Sequence, residues 1–162
     1  MSNIGSLLSE IGAGCFQQAY VVADVARAQE ALTETLGCER WATLPAADLE
    51  YDFRGGRTTC ALEIAFARSG NVQIELLQPV RGNGLHVEFL ESNGPGLHHL
   101  GFLVDDIDAV VAHAASLGYA RVQGATFGSL TFCYLDTWDD WGLYMELVDD
   151  PDGMMMGLMP WR

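Results

Sequence analysis

The chain repeats itself, and that repetition restricts its fold more than any other feature. Residues 17–24, Gln17-Gln18-Ala19-Tyr20-Val21-Val22-Ala23-Asp24, align with residues 99–106, His99-Leu100-Gly101-Phe102-Leu103-Val104-Asp105-Asp106. Each segment ends in an Asp seven residues after its first residue. A stretch with helical spacing follows each Asp: Val25, Ala28, Leu32 and Leu36 in the first copy, and Ile107, Val110, Val111, Ala114 and Leu117 in the second. Both stretches stop at glycine, Gly37 and Gly118, as a helix C-terminus prefers. Asp24 and Asp106 stand where an N-cap accepts backbone hydrogen bonds.

The rest of each copy reads as strands, about 38–43, 60–67 and 71–79 in the first and about 119–124, 129–136 and 142–148 in the second. Each copy is then β-α-β-β-β, an α+β unit with an apolar sheet face that it cannot bury alone. Two such modules would pack side by side or pair with another chain. The expected division is an N-terminal extension at 1–14, module one at 15–80, a Gly-rich linker at 81–96, module two at 97–149 and a Met-rich tail at 150–162. Methionine fills irregular apolar gaps, so the tail reads as a packing or interface segment.

Twenty-two acidic residues against eight basic ones give a formal charge of −14, and all eight basic residues are Arg. Nucleic acid and anionic membrane are poor partners for such a chain, because phosphate backbones need clustered cations. No run approaches the roughly 20 apolar residues of a membrane helix, and no basic-then-apolar leader opens the chain, so a soluble cytoplasmic protein is expected. Cys15, Cys38, Cys60 and Cys133 form no CxxC pair and read as free thiols.

Four polar residues fall on largely apolar strand faces: Gln17 with Ala19 and Val21, Glu75 with Gln73 and Leu77, His99 with Leu97 and Gly101, and Glu146 with Tyr144 and Val148. Singly, each has an ordinary explanation as a strand-end hydrogen bonder, a core histidine or an exposed edge residue. Together they occupy matching points of a repeat, and two are carboxylates whose burial is costly without a counter-charge. A divalent cation such as Zn, Ni, Co, Mn or Mg would neutralise both, and three oxygen donors with one imidazole suit that range. His98, next to the candidate ligand, should face the other way; His86 and His113 read as solvated.

The segments Gln17–Asp24, Val72-Gln73-Ile74-Glu75-Leu76-Leu77-Gln78-Pro79, Gly96-Leu97-His98-His99-Leu100 with Val104-Asp105-Asp106-Ile107-Asp108, and Leu143-Tyr144-Met145-Glu146-Leu147-Val148 resemble the four ligand-bearing strands of the vicinal-oxygen-chelate superfamily. That superfamily holds the glyoxalases, the bleomycin-resistance proteins and the extradiol dioxygenases. The resemblance implies paired βαβββ modules forming a cup, with helices outside, around a metal that binds two neighbouring substrate oxygens. It also implies a homodimer. Phe89–His99 and Glu75–Pro79 resemble methylmalonyl-CoA epimerase, whereas Gln17-Gln18 resembles eukaryotic glyoxalase I. Extradiol dioxygenases need a second histidine where this chain has Gln17.

The expected reaction is proton transfer next to a carbonyl by an isomerase, epimerase or lyase, with Glu146 as the base. Glu63 matches an acid/base glutamate of some bacterial epimerases and is a candidate second catalytic group. The alternatives are a lactoylglutathione lyase like glyoxalase I, a metal-free small-molecule-binding or resistance protein, and an acidic interaction module. Only Arg54, Arg57, Arg68 and Arg81 stand out as candidates to meet the phosphates of a coenzyme A thioester. That scarcity favours a less charged carbonyl or lactone-like substrate.

Overall fold

The computed structural model describes residues 3–12 and 14–157. An outer helix, α1 (Asn3–Ile11), precedes the first repeat copy: β1 (Cys15–Val21), α2 (Val25–Leu36), β2 (Ala42–Phe53), β3 (Gly56–Ser69) and β4 (Val72–Gly82). After α3 (Leu85–Asn93) comes the second copy: β5 (Gly96–Leu103), α4 (Ile107–Ser116), β6 (Arg121–Phe127), β7 (Leu130–Leu135) and β8 (Tyr144–Asp149). Two one-turn helices complete the described elements, α5 (Trp138–Trp141) before β8 and α6 (Met154–Gly157) after it. No helix among the described residues is long and apolar enough to cross a membrane.

The repeated Asp residues start their helices by the same means. Asp24 Oδ1 accepts from Arg27 N and Asp106 Oδ1 from Ala109 N, both at 3.0 Å, satisfying a backbone donor that the first helical turn leaves free. Gly37, in the left-handed region, closes α2. The β2–β3 hairpin turns on Arg54 and Gly55, both at positive φ, a pairing that fits the twist of the strands on either side.

The eight strands close into a barrel in the order β1-β4-β3-β2-β6-β7-β8-β5. In each copy the first and last strands are parallel neighbours, β1 with β4 and β5 with β8. The copies join along antiparallel β1 and β5, and again through the short contact of Asp52 and Phe53 with Gly124 and Gln123. Side chains alternate between the barrel interior and the layer beneath the helices. Tyr51, Leu62, Phe66, Leu77, Phe132 and Tyr134 fill the barrel, while Val25, Ala65 and Leu76 pack beneath α2 and Phe102, Ile107 and Leu147 beneath α4.

Two segments differ from the sequence-based expectation, and the N-terminal extension and the tail take structure of their own. β2 runs over Ala42–Phe53 rather than 38–43; Asp48, Glu50 and Asp52 face solvent while Leu49, Tyr51 and Phe53 turn inward, so the charges lie on the outer side of a half-buried strand. Residues 81–96 are more than a linker. They finish β4 and form α3, which turns Leu85, His86 and Phe89 inward, and Gln123 Oε1 accepts from Leu85 N at 2.8 Å to hold the helix start. The extension is a helix whose Leu7 is fully buried against the α4 layer, a contact worth about 1.5–3 kcal/mol. In the tail, Asp150 accepts from Met154 N and Met155 N and seats Met155 in the barrel core; residues 158–162 lie outside the described residues. The four thiols are free, with only Cys15 exposed.

Candidate metal centre

The strand register brings the four candidate donors together. Glu75 on β4 lies opposite Ala19 on β1, two residues beyond Gln17; Glu146 on β8 lies opposite Gly101 on β5, two residues beyond His99. Across the β1–β5 seam, Ala19 pairs with His99 and Gly101 with Gln17. Each long donor therefore stands over a small residue, and the repeat generates a centre with approximate twofold symmetry within one chain. A Cβ added at Gly101 would lie 2.9 Å from Gln17 Oε1 and 3.0 Å from Gln17 Cβ. Gly101→Ala is expected to push the Gln17 amide aside and cost about 1–3 kcal/mol in stability, with weaker cation uptake, measured by chemical melts and competition with a chelator.

His99 Nε2 is 3.2 Å from Gln17 Oε1 and 3.3 Å from both Glu75 Oε2 and Glu146 Oε2. All four residues are buried, none more than 5% exposed. Gln17 Nε2 donates to Gln73 Oε1 at 2.6 Å, which turns the Gln17 carbonyl oxygen toward the imidazole. A single ring N–H cannot serve three oxygens, and Glu75 Oε2 and Glu146 Oε2 have no hydrogen-bond partner although they stand within ion-pair distance of the ring. Leaving buried carboxylate oxygens in that state is costly. One amide oxygen, two carboxylates and one imidazole converging on a point suit a divalent cation, so the residues fit the group expected from the sequence.

Without a cation the charges balance differently. Burial alone would lower the His99 pKa, but the Glu146 and Glu75 carboxylates outweigh it and raise it to about 9. Burial raises the Glu75 carboxyl against the opposing pull of His99. A histidine raised in the folded state stabilises fully below its unfolded pKa of about 6.5 and loses that contribution as pH rises through about 9. Ionising Glu75 in its buried site works in the same direction. The cation-free chain is therefore expected to melt several degrees lower at pH 9 than at pH 6.5, and chelator-treated protein in thermal scans checks this.

His98 departs from the expected alternation. The β1–β5 register skips it, pairing Ala19 with His99 and Tyr20 with Leu97, and this bulge turns both histidines inward. Their Nδ1 atoms lie 2.9 Å apart. Burial and the neighbouring His86 hold His98 neutral, so His98 Nδ1 accepts from His99 Nδ1–H and leaves His99 Nε2 facing the oxygens. His86, expected to be solvated, is 2% exposed, and its ring packs 4.8 Å from that of His98. Burial lowers its pKa to about 3. His86, His98 and His99 also cluster within ligand distance, but the pairing of the two Nδ1 atoms identifies the trio as support for His99.

Glu63 is not brought to the centre. On β3 it alternates with Leu62 and Ile64, which line the barrel interior, so it faces outward with Ala61 and Ala65 and pairs across the sheet with Gln78. Its alternation with apolar neighbours was compatible with either face, and only the strand pairing decides between them. Tyr134, which no sequence pattern marked, lies directly across β7–β8 from Glu146, and burial holds its phenol well above the usual range. His113 is half-buried on α4, away from the centre.

The two carboxylates open onto a cavity of about 210 Å³ inside the barrel. Apart from Glu75, Glu146, His86, Tyr51 and Tyr134, its wall is leucine, isoleucine, phenylalanine and methionine, including Met154 and Met155 of α6. The Asp136–Trp141 segment lies elsewhere, with Trp138 packed on Phe89 and Tyr144.

Residues 16–134 match the model of the Glyoxalase/Bleomycin resistance protein/Dioxygenase superfamily. Among curated proteins, the uncharacterized protein YqjC of Bacillus subtilis is 40% identical over 42 residues, 26% of this chain and 30% of that protein, so the match spans under a third of that relative's length. Methylmalonyl-CoA epimerase of Mycobacterium tuberculosis superposes with a TM-score of 0.58 at 23% identity, over 84% of this chain and 87% of that one. A Streptomyces coelicolor methylmalonyl-CoA epimerase variant in complex with 2-nitronate-propionyl-CoA gives 0.58 at 21% identity, over 85% and 96%. A hypothetical protein of Bacillus halodurans C-125 gives 0.58 at 18% identity, over 84% and 93%. At these identities the likeness is one of fold.

Proposed function

We propose that this chain, which belongs to the Glyoxalase/Bleomycin resistance protein/Dioxygenase superfamily, is a divalent-cation-dependent isomerase, epimerase or lyase that moves a proton at a carbon next to a carbonyl. The observation that carries this reading is the pair of buried carboxylates, each with an oxygen that no hydrogen bond satisfies beside one imidazole, at the wall of an apolar cavity. Gln17, Glu75, His99 and Glu146 would hold the cation. A bound cation supplies positive charge that makes a carbonyl more electron-withdrawing and its neighbouring carbon-bound proton more acidic.

Glu146 takes that proton onto its carboxylate, and the C–H electron pair moves into the adjoining carbon–carbon bond as the carbonyl π pair moves onto oxygen. Tyr134 faces Glu146 across the sheet and stays protonated. Glu75 stands at the twofold-related position, so a proton returned by Glu75 arrives from the other side and inverts the carbon, whereas a proton returned by Glu146 to the neighbouring carbon isomerises the substrate. Glu75 thus takes the partner role that the sequence offered to Glu63. Deuterium uptake from D2O at the carbon-bound position of 2-hydroxyacetophenone, followed by NMR with zinc-, nickel- or cobalt-loaded protein, tests the reading. Exchange above the rate of free metal supports it, and exchange no faster than free metal with all three sinks it.

A metal-free binding protein of the same family is the second reading, favoured by the apolar cavity and by an imidazolium that offsets one of the two carboxylate charges without a cation. Tight binding of an aromatic ligand that survives Glu75→Ala with Glu146→Ala would favour it.

A further inference from the structure

We infer that the cavity selects a compact, uncharged, largely apolar molecule presenting two neighbouring oxygens, such as an aryl or branched-alkyl α-hydroxyketone, and rejects coenzyme A thioesters and glutathione adducts. This deepens the preceding reading and rests on it for the chelating end of the ligand. Size is the first argument. About 210 Å³ lies below the roughly 300–1,000 Å³ of sites for drug-sized ligands, so only a small body fits beside the carboxylates.

Charge is the second. No Arg lines the cavity, and every described Arg is exposed. Four are held on the outside by acidic partners: Arg54 by Glu88, Arg57 by Glu50, Arg81 by Asp48 and Arg121 by Asp52. Arg68 is tied to its own hairpin through Gly70 O and Asn71 Oδ1. A ligand carboxylate or phosphate inside the barrel would meet Leu62, Ile64, Phe66 and Phe132, with no Arg in the wall to pair it. Outside, a chain of formal charge −14 repels anions before they arrive.

The entrance repeats the pattern. Leu44 and Met154, both partly exposed, lie where the cavity meets solvent, so the ligand passes an apolar rim that unbranched methionine can accommodate.

The test is calorimetric titration of the zinc-loaded full chain with 2-hydroxyacetophenone, with its para-carboxylate analogue, and with methylmalonyl-CoA. The neutral ketone is expected to bind at least about tenfold more tightly than either anion. Leu130→Phe and Ile64→Phe, which fill the cavity without touching the donors, are expected to weaken the ketone about tenfold or more while zinc affinity stays unchanged. Two such variants guard against one failing to fold. Equal or tighter binding of the para-carboxylate or the thioester, or ketone binding indifferent to both fillings, overturns the inference. If the chain takes up no zinc, the proposed function fails instead, and the same ranking of ligands on the metal-free chain still decides what the cavity accepts.

Discussion

Glu146→Gln is expected to slow deuterium exchange by about 100- to 10,000-fold, the range lost with a general base. The substitution keeps the size of the side chain and an oxygen donor, so the barrel should remain folded. It replaces a carboxylate that can accept a proton by an amide that cannot. Cation affinity should also fall, because one of the two negative charges is gone; the exchange rate must therefore be compared at saturating metal, with occupancy checked by elemental analysis. Glu63→Gln provides the contrast. Its side chain faces away from the cavity, and its exchange rate should match that of the unaltered chain. A large loss at Glu63 with little at Glu146 would reverse the assignment.

His99→Leu is expected to destabilise the cation-free chain by about 3–5 kcal/mol, the cost of breaking a buried ion pair by removing one partner. Glu75 and Glu146 would then share an apolar pocket with no positive charge between them. Glu75 can relieve this by binding a proton. The loss should accordingly shrink as pH falls and Glu75, whose carboxyl burial already raises, takes up a proton. Urea melts at pH 5 and pH 8 measure both parts. A loss below about 1 kcal/mol at pH 8 would mean that the carboxylates are not held as charges in the folded chain.

The parts of the centre that were legible in the sequence are those that obey simple alternation. Gln17 and His99 lie on matching strands, and Glu75 and Glu146 lie at the same offset on the parallel strands beside them, so a repeat with a period of two along each strand carries all four. His98 was not legible, because a bulge breaks that period at one residue and nothing in Gly96-Leu97-His98-His99 announces it. His86 was hidden by the glycines around it; Leu85, Phe89 and Leu90 do have helical spacing, but a nine-residue helix bounded by Gly84 and Gly94 resembles a linker in composition. β2 was displaced for a related reason. Three acidic residues on its outer face imitate a loop, although its inner face carries Leu49, Tyr51 and Phe53. Glu63 shows the limit of resemblance, since a matching position in a strand places a side chain at a site only when the strand's register agrees.

The symmetry of the centre explains its tolerance of one unlike member. Gln17 and His99 occupy equivalent places, yet one donates a neutral amide oxygen and the other an imidazole nitrogen that takes a proton when no cation is present. Gln73 fixes the first and His98 the second, each by a hydrogen bond on the side away from the carboxylates. On the proposed assignment, the His99 proton offsets part of the charge of the two carboxylates, and binding a cation would exchange that proton for the metal.

The most direct measurement is the metal content of the full chain purified without chelator and then dialysed against zinc, nickel, cobalt or manganese, alongside Glu75→Ala with Glu146→Ala. One equivalent of divalent cation per chain, with a raised Tm and with uptake lost in the double variant, is the predicted result. No bound metal and an unchanged Tm with all four ions, or full uptake by the double variant, would contradict the assignment of Gln17, Glu75, His99 and Glu146 to a single cation.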